Sequence, residues 1–226
     1  MKDTKQHLRK TPAKSRAVRP IPKSSKAHFV GELVFNRGDQ LQRLGFASLL
    51  EYHAALCLIY RSDFLDLEEQ LAAQPFTLPN GKPSKQFFDF RFTQKSGRRI
   101  CISVKPERIA NTAIYQALME RVSQAAIGNI CDDVKTITER NIHPVQLHNS
   151  KLFHAARDPE PEVDEAVLDG LRKVSAPISV IDFLTEMEIG GRGFFSVARA
   201  IRYGQASLLT PERIVGETLI ESRVAA

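Results

Sequence analysis

Residues 86–106 read QFFDFRFTQKSGRRICISVKP, and no other stretch limits the fold as tightly. Phe88, Phe90 and Phe92 alternate with Asp89 and Arg91, then Ile100, Ile102 and Val104 alternate with Cys101, Ser103 and Lys105. Side chains on a strand point to opposite faces in turn, so each run reads as a strand with two chemically different faces. The turn KSGRR between them is short enough to force an antiparallel hairpin. Pro106 has no N–H to donate, so the second strand stops at Lys105. This pairing lets Asp89 and Lys105 meet on one side of the sheet. Lys105 is then either a solvated lysine at a strand end or part of a strand-end site.

The flanking segments set the order of elements. HFVGELVF and QLQRLGF around NRGD read as a hairpin, with Gly38 supplying the permissive backbone. Residues 46–60 read as a helix with Ser48 as N-cap and Phe46, Leu49, Leu50, His53 and Cys57 on one face. Glu51 falls on another stripe, with Ala47, Ala54, Ala55 and Leu58, where small side chains allow close approach to a sheet. LDLEEQ and PFTLP are extended. A helical region interrupted near Gly128 is expected over 107–140, and IHPVQLH is expected as a closing strand. The chain is therefore α/β, ordered helix, three strands, helix, strand.

Charge is unevenly spread. Of a net +6 over 226 residues, positions 1–27 hold six Lys and three Arg against one Asp, a local +8 that leaves −2 for the rest. That segment is expected to be a flexible basic tail, with Lys10, Lys14 and Arg16 as candidate contacts to nucleic-acid phosphates. It lacks the apolar core of a secretory signal, and no apolar run approaches membrane length. Cys57, Cys101 and Cys131 are odd in number and lie in apolar periodic segments, as reduced core thiols do. A cytoplasmic protein without a membrane partner is expected. No G-x-S-x-G elbow, C-x-x-C pair or H-E-x-x-H occurs, and GGRG at 190–193 is not followed by a Walker A lysine. His53, His143 and His148 lack ligand spacing.

An acid on the first helix, an Asp on the second strand and a Lys ending the third resemble the PD-(D/E)xK restriction-endonuclease-like fold. With SLLEYHAALCLIYRSDFLDLEEQ, FFDF and ISVKPE in this order, residues 29–155 are similar to the amino-terminal nuclease domain of TnsA, the endonuclease subunit of heteromeric transposases. The resemblance implies an αβββαβ nuclease core in which Glu51, Asp89 and Lys105 are catalytic. Mg²⁺, or Mn²⁺, would be held by Glu51, Asp89 and the Val104 carbonyl. The substrate would be double-stranded DNA at transposon ends, and the partners a TnsB-like transposase subunit and a TnsC-like AAA+ ATPase regulator.

Ser103 departs from the family pattern, which has Glu or Gln two residues before the lysine. Mg²⁺ is satisfied by one or two carboxylates plus waters, so the remaining ligands suffice in principle. Glu107 is a candidate migrated acid, although an acid at a helix start also suits the helix dipole.

The acidic, proline-interrupted RDPEPEVDE at 157–165 is the expected internal boundary. A small helical domain over 166–226 follows, winged-helix-like, with Arg192, Arg199 and Arg202 on one helix stripe as candidate DNA contacts. The domains are then a tail at 1–27, a nuclease domain at 28–156 and this second unit. Two alternatives stand beside the endonuclease: a catalytically silent nuclease fold that binds DNA and assembles the complex, suggested by Ser103, and a winged-helix DNA-binding regulator on a scaffold.

Overall fold

A computed structural model describes residues 11–19, 29–78 and 80–224. The architecture is mixed α/β, as expected. The described residues fall into two compact units, one within Met1–Tyr52 and Asp63–Glu139, the other within His53–Ser62 and Arg140–Ala226.

The first unit opens with β1 (Gly31–Arg37) and β2 (Gln40–Phe46), an antiparallel hairpin whose turn uses Gly38 at φ 57°. Only glycine reaches that backbone region without steric cost. The helix α1 (Leu49–Ile59) follows, and the division between units falls within it. Its buried residues run from Ala54 to Ile59, and of the residues read as sharing one face Phe46 and Cys57 are buried whereas Leu49 is exposed. Next come β3 (Phe64–Glu69), a small hairpin of β4 (Gln74–Thr77) and β5 (Pro83–Gln86), β6 (Phe90–Gln94) and β7 (Arg99–Val104). The helices α2 (Glu107–Ala110) and α3 (Ala113–Ala126) lead to β8 (Asp133–Ile137). The main sheet has the order β3-β6-β7-β8, antiparallel except for the parallel β7–β8 pair.

Two elements differ from expectation. Residues 133–137, DVKTI, are a strand and not the end of a long helix, because Gly128 at φ 81° turns the chain and the alternating Val134 and Thr136 fit a pleat. IHPVQLH opens a helix, α4 (Pro144–Ala155), in which the His143 ring accepts from the Val145 N–H at 3.3 Å and Pro144 occupies the first turn. Proline is pre-shaped for that position.

The phenylalanine run is also split. Phe90 and Phe92 pair with Ile102 and Ile100, but Phe88 packs with Cys101 and with Tyr115, Met119 and Val122 of α3. The break falls at Asp89, where the regular ladder has not yet begun.

The basic segment is not a free tail where it is described. Residues 11–19 form a strap laid on the first unit. Ala13 bonds to Leu41 and Arg43 of β2, and the buried Gln42 amide donates to the Lys14 carbonyl at 2.7 Å. Ser15 and the Arg16 N–H both reach Glu69 Oε1, at 2.5 and 3.1 Å.

The second unit begins with the residues of α1 from His53 on and continues with α4. The helix α5 (Pro161–Lys173) follows, then β9 (Ile178–Ser179), α6 (Val180–Glu186), α7 (Arg192–Arg202), β10 (Ala206–Leu208) and β11 (Leu219–Ser222). The strands make an antiparallel sheet in the order β10-β11-β9. Val167, Leu171, Val180, Phe183, Leu184, Val197, Ala200, Ala206 and Ile220 form its core. The expected boundary at 157–165 lies inside this unit. Pro161 starts α5, and the carbonyls of Ala156 and Asp158 are both taken by Arg199.

The GGRG run serves packing. Gly190 has φ 63°, and a Cβ at Gly193 would collide with Leu184. Cys57, Cys101 and Cys131 are buried and free. Among the described residues, no helix is long and apolar enough to cross a membrane.

Candidate active site

Glu51 sits in the first turn of α1. Its Oε2 accepts from the Ala47 N–H at 2.9 Å, its Oε1 from the Ser48 hydroxyl at 3.1 Å, and its own N–H donates back to Ser48 Oγ at 3.1 Å. This reciprocal arrangement satisfies helix-start donors and fixes the carboxylate. A carboxylate has about four lone-pair sites, so capacity remains for another partner.

Asp89 is 8% exposed and sits at the mouth of the sheet. Its N–H donates to Ile102 O and its carbonyl accepts from the Gln70 N–H. Its Oδ2 accepts the Val104 N–H at 2.7 Å. Lys105 N–H turns the other way, to Ile137 O at 3.0 Å. Since a strand residue's N–H and C=O point to the same side, the Val104 carbonyl shares the Asp89 side with its N–H.

Electrostatics tie the three predicted residues together. Burial raises the pKa of Glu51 and the charge of Asp89 adds to it, while the Ala47 N–H, Ser48 and the Lys105 ammonium oppose. Burial likewise raises Asp89, against the Val104 N–H, Lys105, Arg19 and Gln70. Glu51, Asp89 and Lys105 are therefore near enough to feel one another's charge. Among the described residues there is no cluster of three or more His, Cys, Asp or Glu suited to a metal ion. Two carboxylates and a backbone carbonyl match the sparse protein ligation that Mg²⁺ tolerates.

Ser103 is fully buried. Gln86 Nε2 lies 3.5 Å from its Oγ, and the Tyr115 hydroxyl, whose pKa burial raises and Thr136 and Ser103 lower, hydrogen-bonds with Thr136 Oγ1 at 2.9 Å. Glu107 opens α2, where its N–H donates to Glu139 and its Oε1 accepts from Asn111.

The arginines expected to face DNA are mostly engaged within their own unit. Arg16 forms a two-pronged bond to Asp66, 2.8 Å on each arm, and reaches Leu67 O. Arg199 is buried against Asp164, Ser196 and the two carbonyls already named. Arg202 spans the carbonyls of Ile59, Tyr60 and Arg61 and lies 5.2 Å over the Tyr60 ring. Three carbonyls at a helix C-terminus are a natural cation site. Arg192 stays exposed beside Glu160, and Lys14 is exposed. Lys10 lies outside the described residues.

Sequence reasoning missed Gln70, Gln86, Tyr115 and Arg19, which the fold brings beside Asp89 and Ser103. Gln70 carried one local signal, being a polar residue at the end of an acidic strand. Compared with known proteins, the chain matches no protein-family model and no curated protein.

Proposed function

We propose that the chain is a metal-dependent DNA endonuclease of the TnsA kind, acting on transposon ends beside a TnsB-like transposase and a TnsC-like ATPase. The observation that carries this reading is the Asp89 carboxylate anchored on the Val104 N–H, with Glu51 and Lys105 in electrostatic reach. The order α1, β3, β6, β7, α3, β8 supports an αβββαβ nuclease core with the β4–β5 hairpin inserted.

Glu51, Asp89 and the Val104 carbonyl would hold Mg²⁺ or Mn²⁺, which when bound supplies positive charge against the charge building on the phosphate. The Val104 N–H fixes one Asp89 oxygen and so orients the other. Lys105 supplies an ammonium for a phosphate oxygen or the attacking water, a charge-assisted contact. The second unit, with α5, β9, α6, α7, β10 and β11 in sequence and a three-stranded antiparallel sheet, supports a winged-helix reading. With Arg199 and Arg202 engaged, DNA contact by that unit would fall to Arg192 and other surface groups.

One observation favours a second reading. Ser103 is covered by Tyr115 and Gln86, so the place of the family's third ligand is filled by a neutral network, as suits a silent module that binds DNA and assembles the complex. The decisive test is nicking of duplex DNA carrying the transposon ends, with Mg²⁺ or Mn²⁺ and both partner proteins. Cleavage by the native chain that is abolished in Asp89→Ala and Lys105→Ala, with Mn²⁺ affinity lost in Asp89→Ala by calorimetry, supports the enzyme. DNA binding without cleavage at any metal concentration supports the silent module.

A further inference from the structure

The strap reaches the candidate site through Gln70. This residue has φ 44°, a backbone region that non-glycine residues avoid, and it is 6% exposed. Such a conformation persists where its surroundings hold it, and it clusters at functional sites. Here the surroundings are specific. The Gln70 N–H donates to Asp89 O at 2.8 Å and its carbonyl accepts the Val18 N–H at 3.0 Å. Its amide oxygen accepts from Arg19 Nη2 at 2.6 Å, and its side chain acts to lower the Asp89 pKa against the effect of burial. An amide carries its acceptor and its donors on opposite arms, so with Arg19 on the oxygen the NH₂ arm is left for the Asp89 side.

Arg19 is exposed, and its guanidinium carbon lies 4.2 Å over the Phe87 ring, with Lys85 Nζ 5.8 Å from the same centroid. Its charge is felt at Asp89. Bonding to Gln70 occupies one arm of a five-donor fork, which suits the remainder to an incoming phosphate. A phosphate approaching two carboxylates needs nearby cations to offset the repulsion, and Arg19, Lys85 and Lys105 flank this site.

We propose that Arg19 is a substrate-binding residue that the docked strap places beside Asp89, where it contacts a DNA phosphate, with Phe87 and Lys85 on the same rim. This rests on the endonuclease reading only in taking DNA as the substrate. It moves the basic segment's role from a loose tail to one guanidinium at the site.

The test is equilibrium binding of a fluorescent DNA duplex to the full chain without divalent metal, over a range of salt. Arg19→Ala should weaken binding roughly tenfold and reduce the salt slope by about one phosphate's worth, while Arg19→Lys keeps the slope. In the native chain, DNA should protect Arg19 from phenylglyoxal, read by mass spectrometry, which needs no variant to fold. If the native chain binds DNA but Arg19→Ala keeps its affinity and slope, or Arg19 is modified equally with and without DNA, the proposal is overturned and the endonuclease reading stands. If the native chain binds no DNA, that reading falls and takes the proposal with it.

Discussion

Burial raises the pKa of both Asp89 and Glu51, so each carboxyl ionises less readily in the folded chain than in the unfolded one. For an acid with a raised folded pKa, ionisation at neutral pH costs stability, and that cost disappears as pH falls through the folded value. Asp89→Asn keeps an acceptor for the Val104 N–H and removes the charge. It should raise the melting temperature at pH 7 by roughly 2–4 °C, a gain that shrinks in acid, while cleavage and Mn²⁺ binding are lost. A fall of several degrees would make Asp89 a structural residue instead. For native protein, Mn²⁺ affinity should already decline above the ordinary carboxylate range, because the ligands must be ionised to bind. Ser103→Ala should cost about 1 kcal/mol by denaturant melt, the loss of one shared hydrogen-bond network. Ser103→Glu should cost about 1–3 kcal/mol from crowding under Tyr115 alone, before any charge is counted. Glu51, Asp89 and Lys105 were proposed from local signals, since each stands at a telling place in one element. Arg19 and Gln70 could not, because 51 residues separate them and only the docked strap joins them.

Among elements, the strap offers the sharpest test of what holds the first unit together. Glu69 is 1% exposed, and Ser15 and the Arg16 N–H donate to its Oε1. Although burial pushes Asp66 up, Arg16 and Arg37 bring its pKa below the usual range. Stability from such a depressed acid is present above the unfolded value and lost as pH falls through the folded one. Arg16→Ala should therefore destabilise by about 1.5–3 kcal/mol at pH 7 and by less in acid. Equal melts for Arg16→Ala and native protein would leave the strap as a surface decoration. The hairpins were legible because alternation and turn glycines are local signals. The exchange of DVKTI and IHPVQLH was not, since short apolar runs fit both periods and the partner β7 decides. The arginine stripe misled for a related reason: helical spacing shows which residues share a face, not whether that face meets solvent or Asp164.

At the scale of the molecule, Arg199 ties the start of α5, the preceding loop and α7 into one unit. Arg199 is buried but Asp164 is only partly so, and removing the guanidinium strands two carbonyls as well, so Arg199→Ala should destabilise the second unit by about 1.5–3 kcal/mol with DNA affinity unchanged. A selective loss of DNA affinity in a fully stable Arg199→Ala protein would return this residue to a DNA-contact role. Fragments cut at the proline-rich stretch should fare poorly, because residues 166–226 lack the Ile59, Tyr60 and Arg61 carbonyls that Arg202 holds. The same interleaving has a consequence for the nascent chain. His53–Ser62 leaves the ribosome long before Arg140–Ala226, the rest of its unit. At about 5–20 residues per second, the apolar half of α1 waits several seconds or more for its partners. During that interval Leu56, Leu58 and Ile59, buried in the folded chain, are apolar surface without the rest of their unit to cover it.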